Sequence, residues 1–482
     1  MVRPNILFVF SDQQRYSALG CNGNPVVRTP AIDRLASEGM VCDNMFSNHP
    51  LCSPYRAILL TGRYAWQNLV IDNEYRPRTD IPTLPGTLRQ HGYGTGHVGT
   101  FHLGVAPYPE EERYGLDYLA ALHDGSGFFD RRYYENESGP TLYEGWAPEV
   151  ETDLAVRFME RHLDSRPEDP FALFVSWRPP HWPYEQYPEA CSIYDPAEMD
   201  VPGNVPEQMV DFARKEIADY YGCCTGLDEQ MARLMEALQR LGVGDNTIVC
   251  YTSDHGDHLS SHGYGKPFDH WMHESMRASK ATPYEESIHV PFVVRWGGGV
   301  PAGTRSDAFM GAIDIMPTLL GVCGVPLPDG LQGRDVSSVW RGESGSTEEE
   351  LAHGSDDSCN AELAREASDS VYLQNMANGW PDRDGWVGRW RGVRTQRWTY
   401  ARWYGNERGP WLFDRAEDPL ERVNLADAAE ARPALEEMEA RLHRWMEVTH
   451  DPFEYGKRGP RGFLDLGQEF ANPEKYRGWG VA

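Results

Sequence analysis

At 482 residues the chain has room for a large α/β body with a smaller companion domain. Apolar residues make up 40% and aromatics 12%, enough for a sizeable core, which excludes wholesale disorder. A formal charge of −28 would repel a phosphate backbone and excludes nucleic acid as a partner.

Residues 6–10 are a continuous apolar run, which predicts a strand buried on both faces. Thr29 and Pro30 then open a helix that Gly39 closes. Thr83 to Gly92 repeats that punctuation, and a strand follows near residues 95–98. Residues 153–164 predict a helix, with Val156, Met159 and Leu163 on one face. Residues 171–177 predict another buried strand. From 206 to 242 the chain is helix-rich, with Leu227, Met231, Leu234 and Leu238 at helical spacing. Strands are expected at 247–252 and 290–296, and a helix at 314–324. The alternation predicts an α/β fold with a large, mostly parallel sheet flanked by helices, in a domain spanning residues 1–360.

Between 341 and 367 the composition shifts to Gly, Ser, Glu and Asp, which places a domain boundary there. Residues 361–482 are expected to form a small α+β subdomain. Its short aromatic strands at 389–393, 398–402 and 411–413 make an antiparallel sheet, and residues 428–448 a packed helix. The tail from Asp451 is rich in Gly, Pro and aromatics and is expected to be ordered by packing, which leaves a homo-oligomer open.

The nine cysteines are irregularly spaced and form no CxxC, which argues against a disulfide framework or a structural zinc site. They read as reduced core residues of a cytoplasmic protein. The N-terminal apolar run is too short for a signal peptide, and no stretch reaches the roughly 18 apolar residues of a membrane span, so no membrane partner is expected.

Four predicted strands end in polar residues: 6–10 in Ser11, Asp12 and Gln13; 95–98 in Gly99, Thr100 and His102; 171–177 in His181; 247–252 in Ser253, Asp254 and His255. Ligands of parallel sheets bind at the carboxyl ends of strands, so these loops should converge on one edge.

Residues 52–63 read Cys-Ser-Pro-Tyr-Arg-Ala-Ile-Leu-Leu-Thr-Gly-Arg. This Cys-x-Pro-x-Arg-x4-Thr-Gly-Arg pattern resembles the signature of the type I sulfatases of the alkaline-phosphatase superfamily. The resemblance covers nearly the whole chain. Thr29-Pro-Ala-Ile-Asp-Arg-Leu-Ala-Ser-Glu-Gly39 is similar to the family's first helix and Thr252-Ser-Asp-His-Gly256 to its second metal motif. Residues 280–291 are similar to its lysine-bearing loop, and residues 412–427 to its C-terminal domain.

The resemblance implies that a formylglycine-generating enzyme oxidises Cys52 to formylglycine. One hydroxyl of the aldehyde hydrate would attack sulfur and expel the alcohol; loss of the second hydroxyl's proton would then expel sulfate. One divalent cation would lower the first hydroxyl's pKa. The implied metal site comprises Asp12, Gln13, residue 52, Asp254 and His255. Oxygen ligands favour Ca²⁺, and the His255 nitrogen leaves Mn²⁺ or Zn²⁺ open. Arg56, four residues after Cys52, shares its helix face and can steady the nucleophile's oxyanion form. His102 matches the histidine that handles the second hydroxyl's proton, and His181 the one that protonates the leaving oxygen. Lys280 matches the lysine that binds sulfate oxygens; it is one of only five lysines. Asn73 and Trp182 are expected near the substrate, a small molecule or a saccharide sulfate.

One departure stands out. The family usually reads Gly-Lys-Trp-His-Leu-Gly where this chain reads Gly99-Thr-Phe-His-Leu-Gly104. Losing that lysine removes charge and bulk, penalising phosphate monoester dianions most. Arg56, Lys280 and the metal are then expected to be the remaining cationic groups. Asp12-Gln13 with Thr100 also resemble the phosphonate monoester and phosphodiester hydrolases of the same superfamily, whereas His102, Leu103 and Gly104 point to sulfatases. The expected activity is therefore sulfuric ester hydrolysis, with phosphodiester or phosphonate monoester hydrolysis as the alternative. A decayed, non-catalytic binder of sulfated ligands is less favoured because so many site residues are present. His258, His262, His270 and His273 are expected to line the cleft rather than hold a second metal.

Overall fold

In the computed structural model the described residues are 3–73, 75–123, 127–264, 275–343, 365–377, 380–382, 385–403 and 409–453. One ten-stranded sheet dominates. Its strands are β1 (Asn5–Asp12), β2 (Met40–Phe46), β3 (Gly94–Gly99), β4 (Tyr118–His123), β5 (Phe129–Glu135), β6 (Ser138–Trp146), β7 (Phe171–Pro180), β8 (Thr247–Ser253), β9 (Phe292–Arg295) and β10 (Thr304–Gly311), in the order β10-β2-β9-β8-β1-β7-β3-β4-β5-β6. The run β8-β1-β7-β3-β4 is parallel throughout.

Alternation along β1 shows why that strand is apolar without interruption. Ile6, Phe8 and Phe10 point into one core, Leu7 and Val9 into the other, and all are buried. Helices α1 (Pro30–Ser37), α2 (Cys52–Thr61), α3 (Ala65–Asn68), α4 (Leu84–Gln90), α5 (Ala147–Ser165), α6 (Val210–Arg240), α7 (Glu285–Ile288) and α8 (Ile315–Val322) follow in chain order. α1, α5 and α6 cover one face, through Ile32, Leu154, Met159, Leu227, Met231, Leu234 and Leu238. α2, α4 and α8 cover the other, through Ile58, Leu88 and Leu319.

The structure departs from expectation in places where patterning was weak. α5 begins at Ala147, six residues early, with Pro148 in its first turn. β2 carries Asp43 and Asn44 mid-strand; Asp43 accepts from Tyr16 and Arg305, and Asn44 donates to the Asp307 carbonyl, so the polar pair is satisfied by tertiary contacts. The β4–β6 extension pairs antiparallel and leaves most of β6 exposed, so it lacks an apolar signature. β9 runs antiparallel to both neighbours. Thr83 caps α4 by accepting from Gly86 N, whereas the Thr29 hydroxyl accepts from Gly20 N rather than from its own helix.

A smaller antiparallel sheet has the order β11-β14-β15-β16, from β11 (Ser370–Asn375), β14 (Trp390–Thr395), β15 (Trp398–Trp403) and β16 (Trp411–Asp414). β12 (Trp380–Asp382) and β13 (Gly385–Val387) form a separate ribbon. The C-terminal helix, Arg432–Val448, packs Met438, Leu442 and Trp445 into the same apolar cluster as Tyr372, Val393 and β1. Most of the expected domain boundary and the tail beyond residue 453 lie outside the described residues, as do Cys359, His270 and His273. All eight described cysteines are free thiols. No helix among the described residues is long and apolar enough to cross a membrane.

Glu285 on α7 ties the two sheets together, pairing with Arg394 at 3.2 Å, Arg415 at 2.9 Å and His289 at 2.8 Å. Burial opposes its ionisation, but Arg394, Arg415 and His289 outweigh it and hold the carboxyl well below the usual range. A depressed folded-state pKa stabilises the fold above the unfolded value of about 4.3 and loses that contribution as pH falls through the folded value. Glu285→Gln should therefore cost about 3–5 kcal/mol near pH 7. Urea melts should show the gap from the unsubstituted protein narrowing below about pH 4; a gap independent of pH would refute this role.

Candidate active site

The carboxyl ends of β8, β1, β7 and β3 are neighbours in the sheet and deliver Asp254 and His255, Asp12 and Gln13, His181, and Thr100 and His102 to one edge. The N-terminus of α2 meets them there. Cys52 is its first residue, following an extended Leu51, and all ten residues of the helix are buried. Cys52 Sγ lies 3.3 Å from His255 Nε2 and 3.8 Å from Asp12 Oδ1. Burial, reinforced by Asp12, pushes the thiol up to about 12, so the unmodified residue is a protonated thiol near neutrality.

Donor atoms of Asp12, Cys52, Asp254 and His255 all lie within 4.8 Å of one another, and all four residues are buried. His255 Nδ1 sits 3.0 Å from the Gly256 carbonyl, which fixes the proton there and turns the Nε2 lone pair toward the carboxylates. Burial and then the Lys280 charge lower His255 to about 3, keeping the ring neutral. Two carboxylates and a neutral imidazole on one face of residue 52 fit a divalent cation. The two carboxylates differ. Burial would raise Asp12, but His181, Arg56, Lys280 and His255 outweigh it and hold it well below the usual range. Burial and then the charge of Asp12 push Asp254 up to about 7.

Arg56 grips both acids rather than residue 52. Its Nη2 lies 3.1 Å from Asp12 Oδ2 and 3.2 Å from Asp254 Oδ2, while Nη1 donates to the Thr100 carbonyl and to Ser176 Oγ. Gln13 takes a left-handed φ of +72°, held by Asp254 Oδ1 accepting from its N–H at 2.9 Å and by Tyr220 donating to its carbonyl at 2.7 Å. Its side-chain Nε2 donates to Asp257 Oδ2 at 2.7 Å, and its Oε1 accepts from Lys280 Nζ at 2.6 Å. Lys280 Nζ is also 2.9 Å from His181 Nε2, and His181 Nδ1 donates to the Trp182 carbonyl. Burial and then Lys280 hold His181 well below the usual imidazole range, so its ring is neutral and Nε2 accepts from Lys280 Nζ.

The Sulfatase family model matches residues 4–325. The ulvan-active sulfatase of Formosa agariphila is 30% identical over 94% of this chain and 82% of its own length. The chain belongs to the sulfatase family. Among solved structures, a protein in complex with its substrate D-glucosamine-2-N,6-O-disulfate superposes with a TM-score of 0.78 at 22% identity, covering 93% of this chain and 99% of that one. The phosphonate monoester hydrolase of Agrobacterium radiobacter has a TM-score of 0.69 at 20% identity, covering 92% and 96%. The last two likenesses establish a shared fold; the family match and the curated relative establish the sulfatase line.

Other residues of this sulfatase sit less directly at residue 52. Asn73 Oδ1 accepts from Ser53 N at 3.0 Å, so it closes the first turn of α2. Trp182 lies under the Arg277 guanidinium, 5.6 Å from its ring centroid. His102 has φ +58°, its carbonyl accepts from Ser53 Oγ at 2.7 Å, and burial followed by the Arg56 charge lowers its ring to about 3. His258 bonds Thr282 and Ser261, while His262 bonds Glu286 and stacks on Tyr284; both rings are committed to the loop itself. Sequence reasoning passed over Asp257, which orients the Gln13 amide and accepts from the Tyr184 hydroxyl. Its signal was its place two residues after His255 in the same strand-end loop.

Proposed function

We propose that this sulfatase cleaves a sulfate monoester carried by a saccharide, using residue 52 after its oxidation by a formylglycine-generating enzyme. The supporting observation is the meeting of a metal-capable carboxylate–imidazole cluster, the Lys280–His181 pair and the buried first residue of α2 at one sheet edge. The saccharide follows the relative named for activity on ulvan. When present, the aldehyde hydrate supplies the attacking hydroxyl, and a divalent cation on Asp12, Gln13, Asp254 and His255 lowers that hydroxyl's pKa. Mostly oxygen donors favour Ca²⁺.

The chain's own groups do the rest. Arg56 fixes the spacing of the two carboxylates. Lys280 is assigned the sulfuryl oxygens, and its hydrogen bond to the neutral His181 supports that pair as the route by which a proton reaches the departing alcohol. Burial and then the Arg56 charge keep the His102 ring neutral, the form that can take the second hydroxyl's proton. Buried free thiols agree with a cytoplasmic setting.

Rates on an aryl sulfate, an aryl phosphate monoester, a phosphodiester and a phosphonate monoester test the reading side by side. The sulfate should have the highest kcat/KM. A lead for the diester or phosphonate would move the protein to the other branch of its superfamily.

A further inference from the structure

Thr100 stands where the resemblance implies a lysine, and an arginine, Arg178, lines the same cavity. Arg178 lies on β7 two residues after Ser176, so both side chains leave the same face of the strand, and Ser176 Oγ is already bonded to Arg56. Arg178, Thr100, His102, Phe101, Gly104 and Tyr108 line a cavity of about 20 Å³. That volume is on the scale of one or two oxygen atoms, too small for a sugar ring.

Two buried polar atoms at this cavity lack a hydrogen-bond partner: Thr100 Oγ1 and Arg178 Nε. Thr100 itself is only 6% exposed. Among the described residues the Arg178 guanidinium has no carboxylate within ion-pairing distance, in a chain whose formal charge is −28. Glu151, a buried acid that feels the Arg178 charge, bonds Tyr133 and is pushed up to about 8 by burial, so it is mostly neutral near pH 7. Arg178 is only partly buried on β7, but its Nε is enclosed without a partner, and an anion oxygen would complete it. The charge of Arg178 also reaches His102 and His181, which places it on the side of the site occupied by those two imidazoles.

We propose that Arg178 is a substrate-binding residue that replaces the missing lysine, donating to a non-bridging oxygen of the sulfuryl group, with the Thr100 hydroxyl as a second donor. The anion it takes is a singly charged sulfate ester or the sulfate product. This deepens the sulfatase reading and rests on it.

The experiment compares Arg178→Gln, Arg178→Lys and the double variant Thr100→Lys/Arg178→Gln in the metal-loaded, matured protein. On 4-nitrophenyl sulfate, Arg178→Gln should lower kcat/KM about 10- to 100-fold, the range of one lost charge-assisted hydrogen bond. Arg178→Lys should keep more activity than the glutamine variant, and the double variant should recover part of the loss by returning the charge from position 100. Calorimetric titration of inorganic sulfate at constant ionic strength should show the same order of affinities. That measurement needs no turnover, so it judges Arg178 even if aryl sulfates prove not to be substrates. Sulfate affinity within twofold of the unsubstituted protein in Arg178→Gln would overturn the inference. So would equal losses in the lysine and glutamine variants, which would mark a packing role.

Discussion

Cys52→Ala should abolish ester hydrolysis, with kcat/KM falling by ~10⁴-fold or more, as expected when a nucleophile is removed outright. The fold should survive, because the side chain removed is small and sits at the first position of a helix whose other nine residues remain packed. Cys52→Ser should be as inactive as the alanine variant, since a serine hydroxyl at this place cannot become an aldehyde hydrate under the proposed maturation. Mass spectrometry of the peptide containing residues 52–56 should show a fraction of the unsubstituted protein as aldehyde when it is made together with a maturing enzyme. Activity retained in Cys52→Ala would remove residue 52 from the chemistry.

Asp254→Ala should empty the metal site and stop catalysis together. The substitution removes one of two carboxylates and leaves the buried Arg56 guanidinium with Asp12 alone, so its charge competes with any cation for the single remaining acid. Elemental analysis after dialysis should fall from about one divalent ion per chain to none, and kcat/KM by ~10³-fold or more. Asp254→Asn separates the two effects: it keeps the hydrogen bonds from Gln13 N and His255 N while losing the charge, so it should fold well and still bind metal poorly. Stoichiometric metal in either variant, or full activity after exhaustive chelation, would contradict the assignment.

The site was legible because its parts sit where strands end. Apolar runs located β1, β7 and β8, and Asp12, His181 and Asp254 come within four residues of the ends of those runs. What escaped was set by contacts distant in sequence. Asn73 looked like a substrate residue but closes a helix terminus twenty positions upstream. Arg56 shares a helix face with Cys52, as spacing required, yet the carboxylates of β1 and β8 claim its guanidinium. Arg178 fell just past the predicted 171–177 strand, and only the fold brings it to one cavity with Thr100. Likewise β2 and β6 owe their strand state to neighbours, not to patterning of their own.

The burial of α2 imposes an order in time. Every residue from Cys52 to Thr61 is enclosed, and Cys52 retains 3% of its accessible surface. A second enzyme cannot grip that segment once the sheet and α8 have closed over it, because extracting it would require dismantling the core. On the proposed maturation, oxidation therefore has to be completed on the unfolded chain, during or just after synthesis. Molecules that fold first are committed to the thiol form for their lifetime, so the active fraction of any preparation records a race between the oxidising enzyme and folding, and raising that enzyme's level afterwards should not rescue them.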